Sequence, residues 1–599
     1  MSDKSSAHSA KTVRIGCASG FYGDSQLSAR QLVDKGDIDY LVFDYLAEIT
    51  MAILAKARAR NDQAGFAVDF VTVAMKDVLA DCAKKGIKVV ANAGGVNVPG
   101  CIAALELLCE QSGLDLKVAG VYGDDLMTRE DLPREAMVEM QTGAALPEKL
   151  GSMNAYLGAR PIADALAAGA DIVVTGRVVD SAVALGPLMH EFGWLATDYD
   201  QLAQGSLCGH VIECGAQCTG GNYTDWHTVP DFSDISYPVA QVSADGSFVV
   251  CIPPDTGGLA TIGSVAEQIV YEIGDPGNYL LPDVACDFSH VSLEQKGKDR
   301  ICVSGARGRA PGKHYKVCAT WRDGFQIKGM AIYGGLRAKD KAETGYQAWI
   351  KRVRKHFEEN GLDDFRAVDF EYLGTEHSFG PHASPAAQGV REVVAKFGLH
   401  HDDPSALQFA ANEMMYLGTS GAPGMYGLGG GRPRPSGLIQ IHSTLLEKSL
   451  VPVTVQLGNH VLHHQTYEND ISKPTAKCHI EVDDCDIEPN WVATSLEVLV
   501  YARSGDKGNN ANIGVIARDP SYLPYIHKQV TAQVVDDYFA HLVAGDVERF
   551  ELPGFDAYNF FLTEALGGGG TASLRADSQG KSLAQQLLSL EIMVPPELL

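Results

Sequence analysis

The sequence predicts an α/β protein with a parallel-sheet N-terminal core, a β-rich and mixed α+β middle region, and a small C-terminal α+β domain. Over the first third of the chain, short β-branched runs alternate with amphipathic helical stretches, which is typical of a parallel sheet flanked by helices. From about residue 230 to residue 340, alternating strands with turn signals predict a β-rich part. Because 599 residues exceed what one hydrophobic core supports, we expect several domains.

Changes in composition along the chain set the boundaries of these parts. Residues 1–11 are polar and predict a disordered tail. Residues 12–482 form the predicted core, with the parallel sheet in 12–200 and the β-rich and mixed part in 201–482. Strand, helix and strand patterns in residues 494–599 predict the C-terminal α+β domain.

Five candidate strands make up the predicted parallel sheet. They are Val13–Ala18, Tyr40–Phe43, Ile87–Ala91, Leu116–Val121 and Asp171–Thr175, and helical patterns between them include Asp69–Lys85 and Ala159–Ala168. Several strands end in polar or glycine-rich turns, namely SGFYGDS, NAGGVN, YGDD and TGRVVDS. Ligands of open α/β sheets bind at the carboxyl ends of the strands, so we expect these turns to meet at one crevice.

Charge and cysteine usage restrict the class of protein. There are 49 Lys and Arg residues against 75 Asp and Glu residues, and the net charge of −26 disfavours binding to nucleic acid or to anionic membranes. No apolar run reaches 18 residues, and the polar N-terminus lacks the apolar core of a signal peptide. The 13 cysteines are scattered without a CxxC pair, which fits reduced thiols. We therefore expect a cytoplasmic protein with neither a nucleic-acid nor a membrane partner.

The segment Gly209–Trp226, GHVIECGAQCTGGNYTDW, is the strongest candidate for a functional site. Polar side chains need partners when buried, and glycines let the backbone bend sharply or approach a ligand closely. His210 and Glu213 are candidates for a general acid and base, although a hydrogen-bonded buried network would use the same residues. Further along the segment, Gln217, Asn222 and Asp225 are candidates for substrate binding.

A zinc site in this region is an alternative that the spacing does not favour. Cys208, His210, Cys214 and Cys218 carry suitable ligand atoms, but their spacing matches no familiar zinc pattern and paired knuckles are absent from the sequence. We therefore expect no metal site.

Arg177 and Asp180 follow the last predicted strand of the sheet. Arg177 is a candidate clamp for a carboxylate or phosphate, and Asp180 is a further catalytic candidate. An Arg–Asp pair that stabilises the turn explains the two residues equally well. In the C-terminal segment YARSGDKGNNANIG, Lys507 offers a positive charge to an anionic group, in either a polar hairpin or an anion-binding nest.

The loop Gly16–Gly23, GCASGFYG, lies between a strand and a helix. It resembles a phosphate cradle, but its spacing is G-xxx-G-xx-G, and a tight turn explains it as well. A nucleotide-dependent oxidoreductase is therefore one alternative function. Ser19 and Asp24 at this loop, and Asn97 in the turn NAGGVN, complete the candidates for substrate binding.

Several motifs together resemble the acyclic terpene utilisation protein A (AtuA) family. They are IGCASGFYGDS, ANAGGVN, GADIVVTGRVVDSA, GHVIECGAQCTGGNYTDW, GGLATIGSVAEQIVYEIGDPGNYLLPDV, RSGDKGNNANIGV and YNFFLTEALGGGG. The resemblance covers nearly the whole chain. It implies an AtuA core over residues 12–482 and an appended ferredoxin-like domain over residues 494–599.

The resemblance also implies a role in the breakdown of branched isoprenoids such as citronellol and geraniol through CoA thioesters. We expect an enzyme that acts on a branched acyl-CoA as a hydratase or lyase, with CoA as part of the substrate and no cofactor. The alternative is a non-catalytic component that binds the acyl-CoA and presents it to other enzymes. A homo-oligomer is the expected assembly of such a catabolic protein.

Overall fold

The computed structural model describes residues 11–428, 431–464, 477–483 and 485–599. The predicted disordered tail, residues 1–11, lies outside the described residues except for Lys11. The α/β fold class with an additional C-terminal domain is confirmed.

The N-terminal part alternates strands and helices as the sequence predicts. Its elements are β1 (Thr12–Cys17), α1 (Ser28–Lys35), β2 (Tyr40–Phe43), α2 (Glu48–Arg58), α3 (Lys76–Lys85), β3 (Lys88–Ala91), α4 (Val98–Gln111), β4 (Val118–Tyr122), β5 (Leu150–Ala155), α5 (Arg160–Ala167), β6 (Ile172–Thr175), α6 (Ala182–Phe192) and α7 (Tyr199–Ile212). The five predicted strands are β1, β2, β3, β4 and β6, each within two residues of its predicted ends. The predicted helix Asp69–Lys85 is divided into a π-helical turn over Phe70–Met75 and the α-helix α3.

The middle part is rich in strands. Its elements are β7 (Val239–Ser243), β8 (Phe248–Cys251), α8 (Ile262–Ile269), β9 (Tyr279–Leu280), β10 (Ala285–Asp287), β11 (Ser292–Gly297), β12 (Arg300–Ser304), β13 (Arg307–Arg309), β14 (His314–Gly334), α9 (Ala338–Asn360), β15 (Ala367–Leu373), β16 (Glu392–His401), α10 (Pro404–Glu413), α11 (Leu417–Ser420), β17 (Met425–Leu428), β18 (Ser436–Glu447), β19 (Thr454–Leu457) and β20 (His460–His463).

One large sheet joins the N-terminal and middle parts. Among the described residues it has eleven strands in the order β11-β12-β8-β7-β1-β2-β3-β6-β4-β19-β20. The five central strands from β1 to β4 are parallel, and the flanking strands of the middle part extend both edges with antiparallel pairs. A second sheet is built around the long strand β14, which pairs with β5, β16, β17 and β18.

Both faces of the central strands are buried, which explains their continuous apolar sequences. Tyr40 and Val42 of β2 belong to a core that includes residues of α5, α6 and α7. Leu41 and Phe43 of the same strand belong to a core that includes residues of α1, α3 and α4. Because successive residues of a strand face opposite sides of the sheet, helices pack on both faces of the sheet. The ends of the strands remain free to carry polar turns.

The C-terminal domain has its own core and sheet. Its elements are β21 (Val492–Ser495), β22 (Val500–Lys507), β23 (Asn510–Ala517), α12 (Leu523–Gln529), α13 (Ala532–Phe539), β24 (Val547–Leu552), β25 (Ala557–Leu562), α14 (Leu583–Leu587) and β26 (Glu591–Val594). The main sheet has the order β22-β23-β25-β24, and all its pairs are antiparallel. Strands β22 and β23 form a hairpin that packs against α8 of the middle part.

Candidate functional site

Buried polar side chains follow all five parallel strands at the carboxyl edge of the central sheet. They are Ser19 after β1, Asp44 after β2, Asn92 after β3, Asp124 after β4 and Arg177 after β6. Ligands of open α/β sheets bind at this edge, because the strand-end turns project there together. The hydrogen bonds and charges around these five residues therefore define the site.

Asp44 is held by its neighbours on the strand ends. The amide of Asn92 donates to the Asp44 carboxyl, and the Ser19 hydroxyl donates to the Asp44 backbone carbonyl at 3.0 Å. Burial raises the pKa of Asp44 well above its ordinary value, and the nearby carboxyls of Asp180 and Glu213 act in the same direction. A proton on Asp44 is therefore strongly favoured.

Arg177 lies at the centre of the site and is 3% exposed. Its Nη1 donates to Asp180 Oδ1 at 2.5 Å and to the carbonyl of Val178 at 2.8 Å. The guanidinium carbon lies 4.0 Å from the centroid of the Tyr156 ring. Its Nε is buried and has no hydrogen-bond partner among the described residues. The predicted Arg–Asp pair is therefore present, and the Nε of the guanidinium is a buried donor without a partner among the described residues.

Asp124 fixes the backbone at Arg177. Its Oδ2 accepts the Arg177 amide at 2.8 Å and the Asn154 side-chain amide at 2.9 Å. Burial raises the pKa of Asp124 to about 7. Position 176, next to Arg177, requires glycine, because an added Cβ would collide with the Asp124 carboxyl.

Glu48 and Lys316 lie near Arg177, because Lys316 and Arg177 both contact the Tyr156 ring. The Glu48 Oε1 accepts from the Tyr156 hydroxyl at 2.6 Å and from Lys316 Nζ at 3.1 Å. Burial acts to raise the pKa of Glu48, but the charges of Lys316 and Arg177 outweigh it and hold that pKa well below its ordinary value. Yet 29% of the Glu48 side chain and 39% of the Lys316 side chain are exposed. Partly buried side chains that stay ionised and in contact with water are typical of the lining of a cleft.

His210 and Glu213 lie at the end of α7 and contact each other. Their hydrogen-bond partners show which atoms of the pair carry a proton. His210 Nε2 lies 3.2 Å from the carbonyl of Ile269, and His210 Nδ1 lies 3.1 Å from Glu213 Oε1. Burial lowers the pKa of His210 to about 4, so the ring is neutral near pH 7. Because a carbonyl only accepts, Nε2 carries the ring proton and Nδ1 is an acceptor.

The Glu213 carboxyl must then donate to Nδ1, which requires it to be protonated. Burial raises the pKa of Glu213 well above its ordinary value, and the carboxyls of Asp180 and Glu272 raise it further. The hydrogen-bond geometry and the electrostatics therefore agree on a carboxylic acid next to a neutral imidazole. Such a pair holds a transferable proton at neutral pH.

Lys507 reaches the same region from the C-terminal domain. Its Nζ donates to the carbonyl of Glu272 at 2.9 Å and lies 5.5 Å from the centroid of the Tyr279 ring. Its positive charge acts to lower the pKa of both His210 and Glu213. The charges of Arg177, Asp180 and Lys507 thus all act on Glu213, which contacts His210.

The other predicted residues of the Gly209–Trp226 segment contact arginines of the C-terminal domain. Arg503 donates to the side-chain carbonyl of Gln217 and, at 2.5 Å, to the backbone carbonyl of Asn222. Arg518 makes two hydrogen bonds of 2.7 Å with the Asp225 carboxylate. We call these five residues the domain seam. Substrate binding by Gln217, Asn222 and Asp225 stays a prediction, because their observed contacts are between domains.

Asp24 and Asn97 also have structural contacts. Asp24 accepts from the Gly20 amide at 2.9 Å and from the Tyr237 hydroxyl at 2.9 Å. Asn97 caps α4 by accepting the Gly100 amide at 3.1 Å. At Gly20, an added Cβ would lie 2.8 Å from the backbone of Cys214. Close packing against Cys214 therefore accounts for this glycine of the Gly16–Gly23 loop.

The chain matches the sequence profile of the acyclic terpene utilisation family protein AtuA over residues 13–457. It also matches that of the AtuA ferredoxin-like domain over residues 494–593. The chain belongs to the AtuA family. No curated protein and no solved structure matches it. Family membership places the chain in acyclic terpene utilisation.

The residues of the site come from both matched regions, the AtuA region and the ferredoxin-like region. The strand-end residues, α7 and β14 belong to the AtuA match, whereas Lys507 and the two seam arginines belong to the ferredoxin-like match. Sequence reasoning missed Asn92 and Asp124, although each follows a predicted strand as Arg177 does. It also missed Lys316, whose position near the start of the long strand β14 gives no local signal.

Neither a metal cluster nor a membrane span occurs among the residues that the structure describes. No group of three or more His, Cys, Asp or Glu side chains in the described ranges is arranged to hold a metal ion. Within those same ranges, no helix is long and apolar enough to cross a membrane.

Proposed function

We propose that this AtuA protein is an enzyme of acyclic terpene breakdown that acts on a branched acyl-CoA as a hydratase or lyase. The observation that carries the proposal is the protonated Glu213–His210 pair close to the Arg177–Asp180 pair. Addition or removal of water next to a thioester needs a proton donor, a base, and donors for the enolate oxygen. These needs match the side chains of the crevice.

Each group has a definite role in the hydration direction. Glu213 transfers its proton to the α-carbon of an unsaturated thioester, and the oxygen of a water molecule bonds to the β-carbon. Asp180 takes the proton that the attacking water releases, so that one proton is given and one is taken. His210 orients the Glu213 carboxyl through Nδ1 while Ile269 holds the imidazole in place. The lyase direction reverses these transfers.

Arg177 and Lys316 supply the positive charge that the reaction requires. The partnerless Nε of Arg177 is a candidate donor to the enolate oxygen, and Lys316 contacts the same Tyr156 ring as Arg177. Charge interactions of Arg177 are strong, because this side chain is buried and water is largely excluded from it. CoA enters only as part of the substrate, and we propose a cytoplasmic homo-oligomer as the working form.

Turnover of isoprenoid CoA thioesters by the full-length protein tests this proposal. We expect Glu213→Gln to lower kcat by about 100- to 10,000-fold, because it removes the transferable proton while keeping the shape of the side chain. Glu267→Gln is the matched control, since Glu267 is a buried glutamate that contacts the Thr224 amide instead of a histidine. Its kcat should stay at the wild-type value.

Two results would count against the proposal. Wild-type kcat in the Glu213→Gln variant would remove Glu213 from the reaction. Binding of the thioesters without any turnover would favour the alternative, a non-catalytic acyl-CoA-binding component of the pathway.

A further inference from the structure

Helix α8 ends next to the acid–base pair, and its last carbonyls accept hydrogen bonds from two different domains. Carbonyls at the C-terminal end of a helix have no donor within the helix. The carbonyl of Ile269, the last residue of α8, lies 3.2 Å from His210 Nε2 in the AtuA core. The carbonyl of the following residue, Val270, accepts from Asn512 Nδ2 of the ferredoxin-like domain at 2.6 Å. Two consecutive carbonyls therefore connect His210 to the ferredoxin-like domain.

Asn512 lies on β23, and its neighbours determine how its side-chain amide is oriented. Its Nδ2 donates to the Val270 carbonyl and, at 2.7 Å, to Asn559 Oδ1. Because a carbonyl oxygen only accepts, the nitrogen of this amide and not its oxygen must face Val270. Asn512 is 0% exposed, so both hydrogen bonds are shielded from water. Asn512 is thus a specific donor to the end of α8.

The same sheet holds the backbone on both sides of this hydrogen bond. Asn559 Nδ2, from the neighbouring strand β25, donates to the carbonyl of Gly274 at 2.7 Å. At Gly514, two residues after Asn512 on β23, an added Cβ would collide with the Val270 side chain. Only glycine at this position lets the strand approach Val270 so closely. The ferredoxin-like sheet therefore fixes the chain where it leaves α8.

The end of α8 in turn controls the proton of the His210 ring. Gln268 Nε2 donates to the backbone carbonyl of His210 at 3.2 Å, while His210 Nε2 donates to the Ile269 carbonyl. If the Ile269 carbonyl moves away, the ring proton is no longer held on Nε2 and can lie on Nδ1, which faces Glu213. A proton on Nδ1 donates to the Glu213 carboxylate and stabilises its ionised form. The position of the Ile269 carbonyl therefore decides whether Glu213 keeps its proton.

We propose that Asn512 of the ferredoxin-like domain is a positioning residue for the reaction, which holds the end of α8 so that the Ile269 carbonyl keeps the His210 proton on Nε2. Glu213 then donates to Nδ1 and stays in the protonated form that hydration uses. The inference rests on the proposed function for its effect on catalysis, since Asn512 acts through Glu213. The ferredoxin-like domain thereby contributes to the reaction through its hydrogen bonds to the core.

The pH profile of kcat for full-length Asn512→Ala tests this inference. The variant removes the donor to Val270, and a proton on His210 Nδ1 then lowers the pKa of Glu213. Because hydration needs the protonated Glu213, the variant should lose activity at a lower pH than the wild type, by about one pH unit. On the alkaline side of the profile, this shift corresponds to a fall in kcat of about tenfold.

Thr224→Val is the matched control, because Thr224 is also buried and joins the same two domains. Its hydroxyl exchanges two hydrogen bonds of 3.1 Å with the backbone of Ala502 instead of contacting Val270. The control should lose stability and keep the pH profile of the wild type. Both variants retain the charged groups that act on Glu213, which are Asp180, Glu272, Lys507 and Arg177.

The tautomer of His210 is a second measurement, which needs no substrate. In ¹⁵N spectra of the histidine-labelled full-length protein, the His210 signals are those that His210→Gln removes. The wild type should carry the ring proton on Nε2, and in Asn512→Ala a measurable fraction of it should move to Nδ1.

Either of two results overturns the inference. One is a wild type that carries the His210 proton on Nδ1, which is decisive even if Asn512→Ala does not fold. The other is a folded Asn512→Ala with the same tautomer and pH profile as Thr224→Val. If the tautomer moves in Asn512→Ala but Glu213→Gln keeps the wild-type kcat, the proposed function fails while the positioning of His210 by Asn512 stands.

Discussion

The segment Gly209–Trp226 divides into two halves that hold polar side chains in different ways. In the first half, His210 and Glu213 are buried, contact each other and have strongly shifted pKa values. In the second half, Gln217 and Asp225 are paired with arginines across the domain seam. Both halves have the glycines and polar residues of a candidate site, so composition alone does not separate them.

This comparison indicates that the surroundings of a polar group decide its role. A carboxylate with a bidentate arginine has an ordinary structural partner, and that arginine lowers the pKa of Asp225. A carboxyl that is desolvated among other carboxyls keeps its proton, as Glu213 does. We therefore expect changes in the first half to alter catalysis, and changes in the seam to alter stability.

Arg518→Ala is expected to cause the largest loss of stability. It leaves the partly buried Asp225 carboxylate without its two hydrogen bonds, and the free energy of unfolding should fall by about 2–3 kcal/mol. Denaturant unfolding of the full-length chain measures this change. Arg129→Ala is the control, because Arg129 has the same two bonds of 2.7 Å to Asp131 but at a surface position. The free energy of unfolding of this control should fall by less than about 1 kcal/mol. An equal loss for both variants would contradict a stabilising role of the domain seam.

Glu267→Gln is expected to change how stability depends on pH. Burial raises the pKa of Glu267 to about 7 in the folded chain, so the native state favours the protonated form. The unfolded chain has a lower pKa, and this contribution to stability is lost as the pH rises from about 4.5 to about 7. The free energy of unfolding of the variant should therefore exceed that of the wild type by about 3 kcal/mol at pH 8 and equal it at pH 4. Parallel stability curves of the two proteins would contradict this account.

Asn97→Ala is expected to have the smallest effect. It removes the N-cap of α4, and the free energy of unfolding should fall by about 1 kcal/mol. We expect KM for the thioester to stay unchanged, because the Asn97 side chain bonds to the backbone of Asp62, Ala64 and Gly100. A clear rise in KM would instead support the sequence-based hypothesis that Asn97 binds substrate.

Much of the central sheet could be predicted from the sequence. Strands such as Tyr40–Phe43 are short, β-branched and bounded by turn residues, and the rule that ligands bind at their carboxyl ends led to Arg177. The acid–base candidates His210 and Glu213 came from their position in a glycine-rich polar segment. In each case the signal is local, so the sequence contains it.

The remaining features depend on contacts between distant residues. Lys316 reaches Glu48 from a strand 268 positions away, and Arg518 reaches Asp225 over 293 positions. Strands β7 and β19 of the middle part likewise join the edges of the parallel sheet through long-range pairing. Periodicity within a segment carries no information on such partners.

The most direct test of the central claim is a comparison of kcat for Glu213→Gln and Arg518→Ala, measured on one thioester at a temperature at which both variants are folded. We expect Glu213→Gln to lose at least about 100-fold in kcat while its free energy of unfolding is not reduced. Arg518→Ala should lose stability and keep the kcat of the wild type. Equal kcat values for the two variants would contradict the division of this segment into a catalytic half and a seam.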